Sequence, residues 1–421
     1  MNSWYYDTNK YQESIDETMR KKSVIRKDSL DLLSEFRDNT EVIKVIRGVR
    51  RCGKSTLMLQ YIDLLKNSGV DDSNIIYINL ESSEFFDACD GKKLLSLIKS
   101  HLGTGRNYVL IDEIQNAPGW EIAINSLRVD TDSDIYITGS NAYLLSSELS
   151  TYLTGRYVSI EMFPLSFTEF LELNGENEDK YEMFEKYLTF GAFPSIDPFE
   201  TPRKINIRLL DLYSSIIYRD VISRGNIRDS GDLDKLVRFM MYNVGNPISF
   251  NKISESLGVN RKTVERYLMM LEESYVFYRA DRYDISKTAL NPIPKYYAVD
   301  TGLRNMPLEY TTEDYGRLME NIVYIELKRR GHSVRVERYG DKEVDFSVKT
   351  DKGKVYYQVT YSMMDSSVRS RELRSLNKID DNYPKIVISA DRLKADFEGG
   401  IRHINIIDWL LDTKEEIIKN Y

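Results

Sequence analysis

The chain has 421 residues, of which 42% are apolar and 29% charged, with a net charge of -8 and a pI of about 5.3. This length predicts two to four domains, and the acidic balance argues against a surface coated for nonspecific nucleic-acid binding, although it leaves a local basic patch open. Two cysteines and three dispersed histidines exclude a disulfide framework, a thiolate zinc site and a histidine-rich metal site. No apolar run approaches the roughly 20 residues that span a bilayer, and the N-terminus lacks the apolar core of a secretion signal. The sequence therefore predicts a cytoplasmic protein without membrane contact.

The first forty residues are polar and are predicted to be helical. From residue 42, short runs rich in Val, Ile and Tyr alternate with amphipathic segments such as STLMLQYIDLLKNSG, which end at glycine. Such alternation predicts a parallel sheet with helices on both faces. The sequence GVRRCGKS at residues 48–55, directly after the first of these runs, makes the prediction an α/β fold of the P-loop NTPase type. The predicted strands are 42–46, 74–80, 108–113, 134–140 and 157–162.

Beyond Pro164 the pattern becomes mostly helical. It starts with SFTEFLEL, in which Ser166 and Glu169 have the spacing of a capping box. Later segments predict a helical winged-helix module and then an α/β domain. The predicted domains are an N-terminal helical segment (1–40), a P-loop ATPase core (41–164), a helical lid or linker (165–204), a winged helix-turn-helix module (205–309) and a nuclease-like α/β domain (310–421).

Residues 48–55 read GVRRCGKS and fit the pattern G-x-x-x-x-G-K-[ST]. The motif follows the apolar run VIKVI and opens an amphipathic segment, which is the strand–loop–helix context that a phosphate-binding loop requires. Backbone N–H groups of such a loop, and the positive end of the following helix, bind phosphate. We expect Lys54 to reach the β- and γ-phosphates and Ser55 to bind Mg²⁺. The predicted ATP-binding residues are Gly48, Arg50, Arg51, Cys52, Gly53, Lys54, Ser55 and Thr56.

The apolar run YVLIDE ends in two adjacent acids, Asp112 and Glu113. In a parallel sheet, the carboxyl end of a buried strand faces the ligand crevice. Asp112 is therefore predicted to hold Mg²⁺, directly or through water, and Glu113 to polarise the attacking water as general base. Adjacent acids on an apolar strand are typical of ATPases that carry a catalytic Glu beside the Mg²⁺-binding Asp.

Two further sites are predicted around the nucleotide. The tip of the run DIYITGS should lie between the acidic strand and the phosphate-binding strand, so Ser140 or Asn141 is the predicted sensor of hydrolysis; an ordinary polar turn is the alternative. Arg156 follows Thr154 and Gly155 and is predicted to be an arginine finger that reaches the γ-phosphate of a neighbouring subunit. A surface arginine or an intramolecular ion-pair partner remains the alternative.

Together, GVRRCGKSTL, YVLIDEIQNAPGWE, ITGSNAYLLSSEL, LTGRY and FPLSFTEFLEL resemble a large family of prokaryotic AAA-type ATPases that carry a C-terminal domain of unknown function. The similarity extends over most of the chain, through GAFPS to VDTGLRN and EVDF. This resemblance implies nucleoside-triphosphate binding and hydrolysis, and it supplies no substrate to be remodelled.

Residues 247–280 have the sequence pattern of a winged helix-turn-helix, with a short helix, a turn at Gly258 and a second helix. Arg261, Lys262 and Arg266 lie off the apolar stripe of the second helix and are predicted to contact DNA phosphates. Neighbouring acids weaken this interpretation, and a protein–protein platform is the alternative. These acids are Glu265, Glu272 and Glu273.

The C-terminal region combines an amphipathic helix that carries Glu320 with two strands, KEVDFSV and KVYYQVTYS. Glu320 and Asp345 stand where two acids of a restriction-endonuclease-like metal site would be. Gln358 and Thr360 stand where that site would have Glu and Lys, and Lys354 lies earlier on the same strand. We therefore predict a nuclease-like architecture without nuclease activity, because metal-dependent hydrolysis requires converging carboxylates and a nearby cation.

Three functions remain open at this point. The first is a Mg²⁺-dependent ATPase of the AAA type whose nucleotide state controls C-terminal interaction modules. The second is a DNA-binding or DNA-processing protein in which ATP is a switch, and the third is a signalling or defence ATPase that acts on a protein partner. ATP and Mg²⁺ are the predicted cofactors, and DNA, a protein partner and further copies of the chain remain open as partners.

Overall fold

A computed structural model gives the fold of the chain. It describes residues 23–142, 153, 155–175, 177–223, 225, 227, 230–284, 289–307, 314–339, 342–351, 353–392, 396–413 and 415. The helix predicted for the N-terminal segment lies outside these residues as far as residue 22, and so does Thr154. The chain divides into two compact units, Met1–Met162 and Phe163–Tyr421. Every helix within the described ranges is too short or too polar to cross a bilayer.

The first unit is a five-stranded parallel sheet in the order β2-β3-β4-β1-β5, which confirms the predicted P-loop NTPase type of sheet. Its strands are β1 (Ile43–Gly48), β2 (Ile75–Asn79), β3 (Asn107–Asp112), β4 (Ser133–Gly139) and β5 (Tyr157–Met162). Its helices are α1 (Lys27–Glu35), α2 (Lys54–Asn67), α3 (Gly91–Ser100) and α4 (Trp120–Asp130). Strands β3 and β4 are buried along their whole length, as expected when helices cover both faces.

A buried charge interrupts the apolar pattern at the start of β1. Lys44 is fully buried, and its ammonium contacts the Asp134 carboxylate and donates to the Asn39 carbonyl at 2.6 Å. Burial lowers the pKa of Lys44, while the negative charge of Asp134 opposes that shift. The pair joins the amino-terminal ends of β1 and β4, opposite the carboxyl ends at which parallel sheets bind their ligands.

The second unit begins with helices and continues into an eight-stranded mixed sheet in the order β12-β13-β11-β10-β9-β8-β6-β7. Its helices are α5 (Phe167–Asn174), α6 (Lys180–Phe190), α7 (Pro202–Ser215) with a π-helical continuation (Ile216–Ser223), α8 (Ser230–Tyr242), α9 (Phe250–Leu257), α10 (Arg261–Glu273), α11 (Thr301–Asn305), α12 (Tyr315–Arg329), α13 (Ser366–Asn377) and α14 (Ile406–Leu411). Its strands are β6 (Phe277–Asp284), β7 (Ala289–Ala298), β8 (Val334–Tyr339), β9 (Lys342–Thr350), β10 (Gly353–Val359), β11 (Lys385–Ser389), β12 (Asp396–Glu398) and β13 (Ile401–Asn405).

Short sequence motifs in this unit mark where its helices begin and end. Ser166 and Glu169 form the reciprocal capping box that begins α5, as predicted. Gly258 has a φ of 67° and ends α9, which makes the turn between α9 and α10. The hairpin of β6 and β7 follows α10, and β6 pairs with β8, so the same sheet contains strands from both sides of residue 310.

The segments GAFPS and VDTGLRN meet around a buried carboxylate. Asp300 caps α11 by accepting from Leu303 N at 2.9 Å, and it also accepts from Ala192 N at 2.7 Å. A Cβ at Gly191, where φ is 76°, would lie 2.1 Å from Asp300 Oδ1, so only glycine fits there. The buried Asp300 side chain therefore stabilises the junction of α6 and α11, and this role accounts for both segments.

Candidate nucleotide site

The phosphate-binding loop connects β1 to α2 at the carboxyl end of the sheet. Gly48 has a φ of 150°, and a Cβ there would lie 2.1 Å from the carbonyl oxygen of Met162, so this position requires glycine. Gly53 is the N-cap of α2 with a left-handed φ of 109°, and Arg51 is also left-handed at 64°. Because Gly53 has no side chain to cap the helix, the first N–H groups of α2 remain available to an anion.

Lys54 lies inside this loop rather than in solvent. Its ammonium donates to the carbonyls of Gly48 at 3.0 Å and Val49 at 3.2 Å, and the residue is 4% exposed. These are weak, neutral acceptors for a buried cation, and phosphate oxygens would bind it more strongly. The geometry therefore suits Lys54 for exchange between loop carbonyls and a phosphate.

The other predicted loop residues take different positions. Ser55 and Thr56 are half-buried in the first turn of α2, while Arg51 is exposed. Arg50 donates to Glu81 Oε1 at 2.9 Å. Cys52 is fully buried, and burial raises the pKa of its thiol, so this cysteine packs in the loop and is not a reactive thiolate.

Asp112 ends β3 and Glu113 follows it, and both acids bond to one residue of the neighbouring strand. Thr138, in β4, donates its hydroxyl proton to Asp112 Oδ1, and the same hydroxyl oxygen accepts from Glu113 N at 2.9 Å. Tyr77 donates to the other carboxylate oxygen of Asp112 at 3.3 Å. Asp112 is 1% exposed, so these bonds compensate for the burial of its charge.

Glu113 lies between the P-loop lysine and a glutamine. Its backbone is left-handed, with a φ of 56°, and its Oε1 is 4.0 Å from Lys54 Nζ. Gln115 donates its amide N–H to the other oxygen, Oε2. Burial raises the pKa of Glu113, and the positive charge of Lys54 opposes that shift. The structure thus brings Lys54, Asp112 and Glu113 together at one edge of the sheet.

Ser140 and Asn141 follow β4, which lies between β3 and β1 in the sheet. Both residues are buried. They therefore stand between the acidic strand and the P-loop strand, where a sensor of the γ-phosphate would be.

Arg156 lies at the other end of the sheet. It is exposed, its carbonyl accepts from Ile43 N at 2.9 Å, and it immediately precedes β5, which pairs in parallel with β1. The P-loop follows Gly48, five residues after Ile43, and at about 3.3 Å per residue these ends are about 17 Å apart. The guanidinium of Arg156 cannot reach its own P-loop across that distance.

The residues present fit a Mg²⁺ ion that is coordinated jointly by the protein, the nucleotide phosphates and water. The described residues include no group of three or more His, Cys, Asp or Glu side chains that could hold a metal ion. Asp112 offers a buried carboxylate, and Ser55 offers a hydroxyl in the first turn of α2. This donor set suits Mg²⁺, which takes one or two protein oxygens and completes its shell with phosphate and water.

The predicted nuclease-like acids lie in a neutralised cluster. Lys295, from β7, contacts Glu320 Oε1 at 3.1 Å and Glu343 Oε1 at 2.7 Å. Asp345 accepts from Val359 N at 2.8 Å, and burial together with the charge of Glu320 raises its pKa well above the usual value. The residues predicted to replace the Glu and Lys are also engaged: Gln358 donates to Glu372 at 2.9 Å, Thr360 N donates to Ile388 O at 3.0 Å, and Lys354 binds Glu337 at 3.1 Å.

The three cations predicted to contact DNA lie on the first half of α10. Arg261 pairs with Glu265 at 2.8 Å, and Arg266 packs over the ring of Tyr267 with its guanidinium carbon 5.2 Å from the centroid. Lys262 is exposed. The ion pair with Glu265 reduces the charge that this helix presents.

Three residues of the site lie outside the predicted set, namely Tyr77, Thr138 and Gln115. The sequence predicts Ser140 or Asn141 at the tip of β4 as the residue near the acids, and the structure shows that Thr138 in the same strand bonds to both Asp112 and Glu113. The position of Gln115, two residues after Glu113, was a signal that could have been used, because a short turn brings such a side chain back to the acid.

Comparison with known proteins agrees with this geometry. Residues 40–171 match the model of an AAA domain, and residues 181–314 match a domain of unknown function (DUF8612). An uncharacterised protein of Haemophilus influenzae is 39% identical over 404 residues, which cover 93% of this chain and 100% of that protein. An uncharacterised protein of Methanocaldococcus jannaschii is 31% identical over 356 residues, which cover 80% of this chain and 78% of that protein.

Solved structures resemble the chain only distantly. A signal transduction ATPase with a tetratricopeptide repeat sensor from Pyrococcus horikoshii is 14% identical over 73% of this chain and 45% of that chain, with a TM-score of 0.29. AMPPCP-bound DnaA from Aquifex aeolicus is 14% identical over 58% of this chain and 86% of that chain, with a TM-score of 0.28. Likenesses at this level carry no argument about function.

The parallel sheet, its P-loop and the matching family model define an AAA-type P-loop ATPase domain in the first unit. The chain as a whole belongs to the same family as the Haemophilus influenzae and Methanocaldococcus jannaschii proteins.

Proposed function

We propose that the protein binds Mg²⁺-ATP at the P-loop and hydrolyses it, and that the nucleotide state controls the C-terminal modules. The observation that carries this proposal is the convergence of Lys54 with Asp112 and Glu113 at the carboxyl ends of β1 and β3, the two strands that flank β4. Lys54 and the first turn of α2 bind the phosphates. Ser55 and Asp112 hold Mg²⁺, which neutralises phosphate charge when bound. Glu113 takes a proton from the attacking water.

Two variants separate binding from turnover. Lys54→Ala should abolish most ATP affinity, measured with a fluorescent ATP analogue, whereas Lys92→Ala, which removes an exposed lysine of α3, should bind like wild type. Glu113→Gln should still bind ATP but hydrolyse it about 10²–10⁴-fold more slowly. Unchanged affinity in a folded Lys54→Ala protein would exclude this site, and unchanged turnover in Glu113→Gln would place the base elsewhere.

We further propose that Arg156 acts in trans within a homo-oligomer, because the arginine is exposed and far from its own P-loop. Specific activity should then rise with protein concentration. Arg156→Ala and Lys54→Ala proteins, each inactive alone, should regain activity when mixed, since a mixed interface can pair an intact P-loop with an intact finger. The loss in Arg156→Ala can reach about 10³–10⁵-fold. Full activity in a demonstrated monomer would contradict this role.

DNA binding is the second candidate function. The order α9, left-handed turn, α10 and β-hairpin supports a winged helix-turn-helix with an exposed second helix. If Arg261, Lys262 and Arg266 bind phosphates, DNA binding should be weaker in their triple Ala variant. The slope of log K against log salt concentration should also become less steep by roughly 0.9 for each lost contact. Equal binding by the variant and wild type would favour a protein partner. The charge-matched control is Arg203→Ala, Lys204→Ala and Arg208→Ala on α7.

A further inference from the structure

The turn after β3 holds a side chain that the proposed reaction has not yet used. Gln115 lies in a single 3₁₀ turn, Ile114–Asn116, directly after Glu113. Its amide nitrogen donates to Glu113 Oε2, while Glu113 Oε1 is directed toward Lys54 at 4.0 Å. The orientation of the amide is fixed by chemistry, because an ionised carboxylate only accepts hydrogen bonds and must therefore face the NH₂ group.

That orientation leaves the Gln115 carbonyl oxygen beside the same carboxylate. Gln115 Oε1 is buried, and no donor among the described residues reaches it. A buried acceptor without a donor costs free energy, so such atoms in native proteins are generally served by a group that arrives with water or ligand. The attacking water of an ATPase is a donor of two hydrogen bonds, and Glu113 can accept only one of them through Oε1.

The main chain and the side chain of Glu113 are held from two different sides. Glu113 has a left-handed φ of 56°, and its N–H is bonded to Thr138 at 2.9 Å. The main chain of Glu113 is therefore fixed from the β4 side, and one carboxylate oxygen is fixed by Gln115. Oε1 is the carboxylate oxygen on the side of Lys54, and hence of the γ-phosphate, so it is the atom placed to take a proton.

We propose that Gln115 is a positioning residue for hydrolysis, which holds Glu113 through Oε2 and orients the attacking water through its own carbonyl oxygen. This inference rests on the proposed ATPase function. In the step it serves, the water oxygen forms a bond to the γ-phosphorus and the bond from that phosphorus to the β,γ-bridging oxygen breaks. The bridging oxygen keeps the electron pair and leaves with ADP. One water proton passes to Glu113 Oε1, and the other remains on the new phosphate.

The test combines Gln115→Met, which keeps the length of the side chain and removes its polar atoms, with Gln115→Asn, which keeps the amide but is one methylene shorter. Both should leave ATP affinity within about twofold of wild type. Both should lower kcat by roughly 10–100-fold, because loss of alignment at the reacting centre commonly has effects of this size. Asn116→Leu is the matched control, since Asn116 lies in the same turn but donates to the Leu80 carbonyl at 3.4 Å; its kcat should stay near wild type.

A double-mutant cycle distinguishes positioning from a general structural effect. In a Glu113→Gln background the base is already absent, so adding Gln115→Met should produce no further loss of kcat. A kcat unchanged in Gln115→Met, or a loss that multiplies fully with that of Glu113→Gln, would overturn the positioning role while leaving the ATPase intact. A wild-type protein that binds no ATP would overturn the proposed function and the positioning role together.

Discussion

Thr138 offers the sharpest test of how the two acids are held. Thr138→Val keeps the shape of the side chain but removes the donor to Asp112 and the acceptor for Glu113 N. A hydrogen bond to a charged group contributes about 1.5–3 kcal/mol and an unsatisfied buried N–H costs about 1–3 kcal/mol, while the added methyl returns about 0.8 kcal/mol. We therefore expect a loss of about 2–5 kcal/mol in the free energy of unfolding of the first unit.

Hydrogen exchange followed by mass spectrometry can measure this loss locally, through peptides from β3 and β4. A loss of about 2 kcal/mol or more corresponds to a rise of roughly 30-fold or more in the opening equilibrium. Ser159→Ala in β5 is the control, because Ser159 Oγ is also buried but has no hydrogen-bond partner in the described part of the chain. If Thr138→Val retains wild-type protection, or loses no more than Ser159→Ala, the hydroxyl does not hold the acids.

Three further predictions concern the second unit. Burial raises the pKa of Asp300 from 3.8 to about 6. The protonated side chain therefore contributes fully to the free energy of unfolding below about pH 4, and roughly 3 kcal/mol of that contribution is lost as pH rises through 6. Denaturation at several pH values should show this dependence in wild type and not in Asp300→Asn. Lys295→Met should lower the free energy of unfolding by about 3–5 kcal/mol in urea denaturation, because Glu320 and Glu343 lose their contacts with Lys295, although Glu343 retains its ion pair with Arg282. Adding Glu320→Gln should partly restore this free energy of unfolding. Wild-type protein with Mg²⁺ or Mn²⁺ should cleave neither DNA nor RNA, and cleavage that Asp345→Ala abolishes would contradict this.

The ATPase core is the part of the fold that the sequence predicts best. Its strands are short runs of Val, Ile and Tyr, and the helices between them have clear periodicity, because covering a parallel sheet on both faces demands that pattern. The GKS of the P-loop and the Asp–Glu pair could also be predicted, since each lies directly after a predicted strand. Strand β1 could be predicted although it contains the buried Lys44. The charge of Lys44 is neutralised by Asp134 in the neighbouring strand, and the apolar residues around it still define β1.

Contacts between distant segments could not be predicted in the same way. Thr138 meets Asp112 because β4 pairs with β3, and strand order is a property of the folded sheet rather than of either segment. The structural role of Asp300 depends on its bond to Ala192, 108 residues away in the sequence. The choice between Ser140 and Asn141 as the hydrolysis sensor likewise depends on side-chain direction, and the alternation of β4 does not fix that direction beyond its last residue, Gly139.

Lys295 neutralises the acids that the sequence predicts to be a degenerate nuclease-like site. Three carboxylates, those of Glu320, Glu343 and Asp345, lie close enough to influence the same buried lysine. Without a cation, such a cluster would be strongly destabilising, and a divalent metal is the usual solution. Here an ammonium from β7 supplies the positive charge, and Arg282 from β6 adds a second contact to Glu343 at 2.6 Å. Both cations come from the hairpin that follows α10. These ion pairs therefore attach the hairpin to the rest of its sheet, and a change that removed either cation would weaken that attachment.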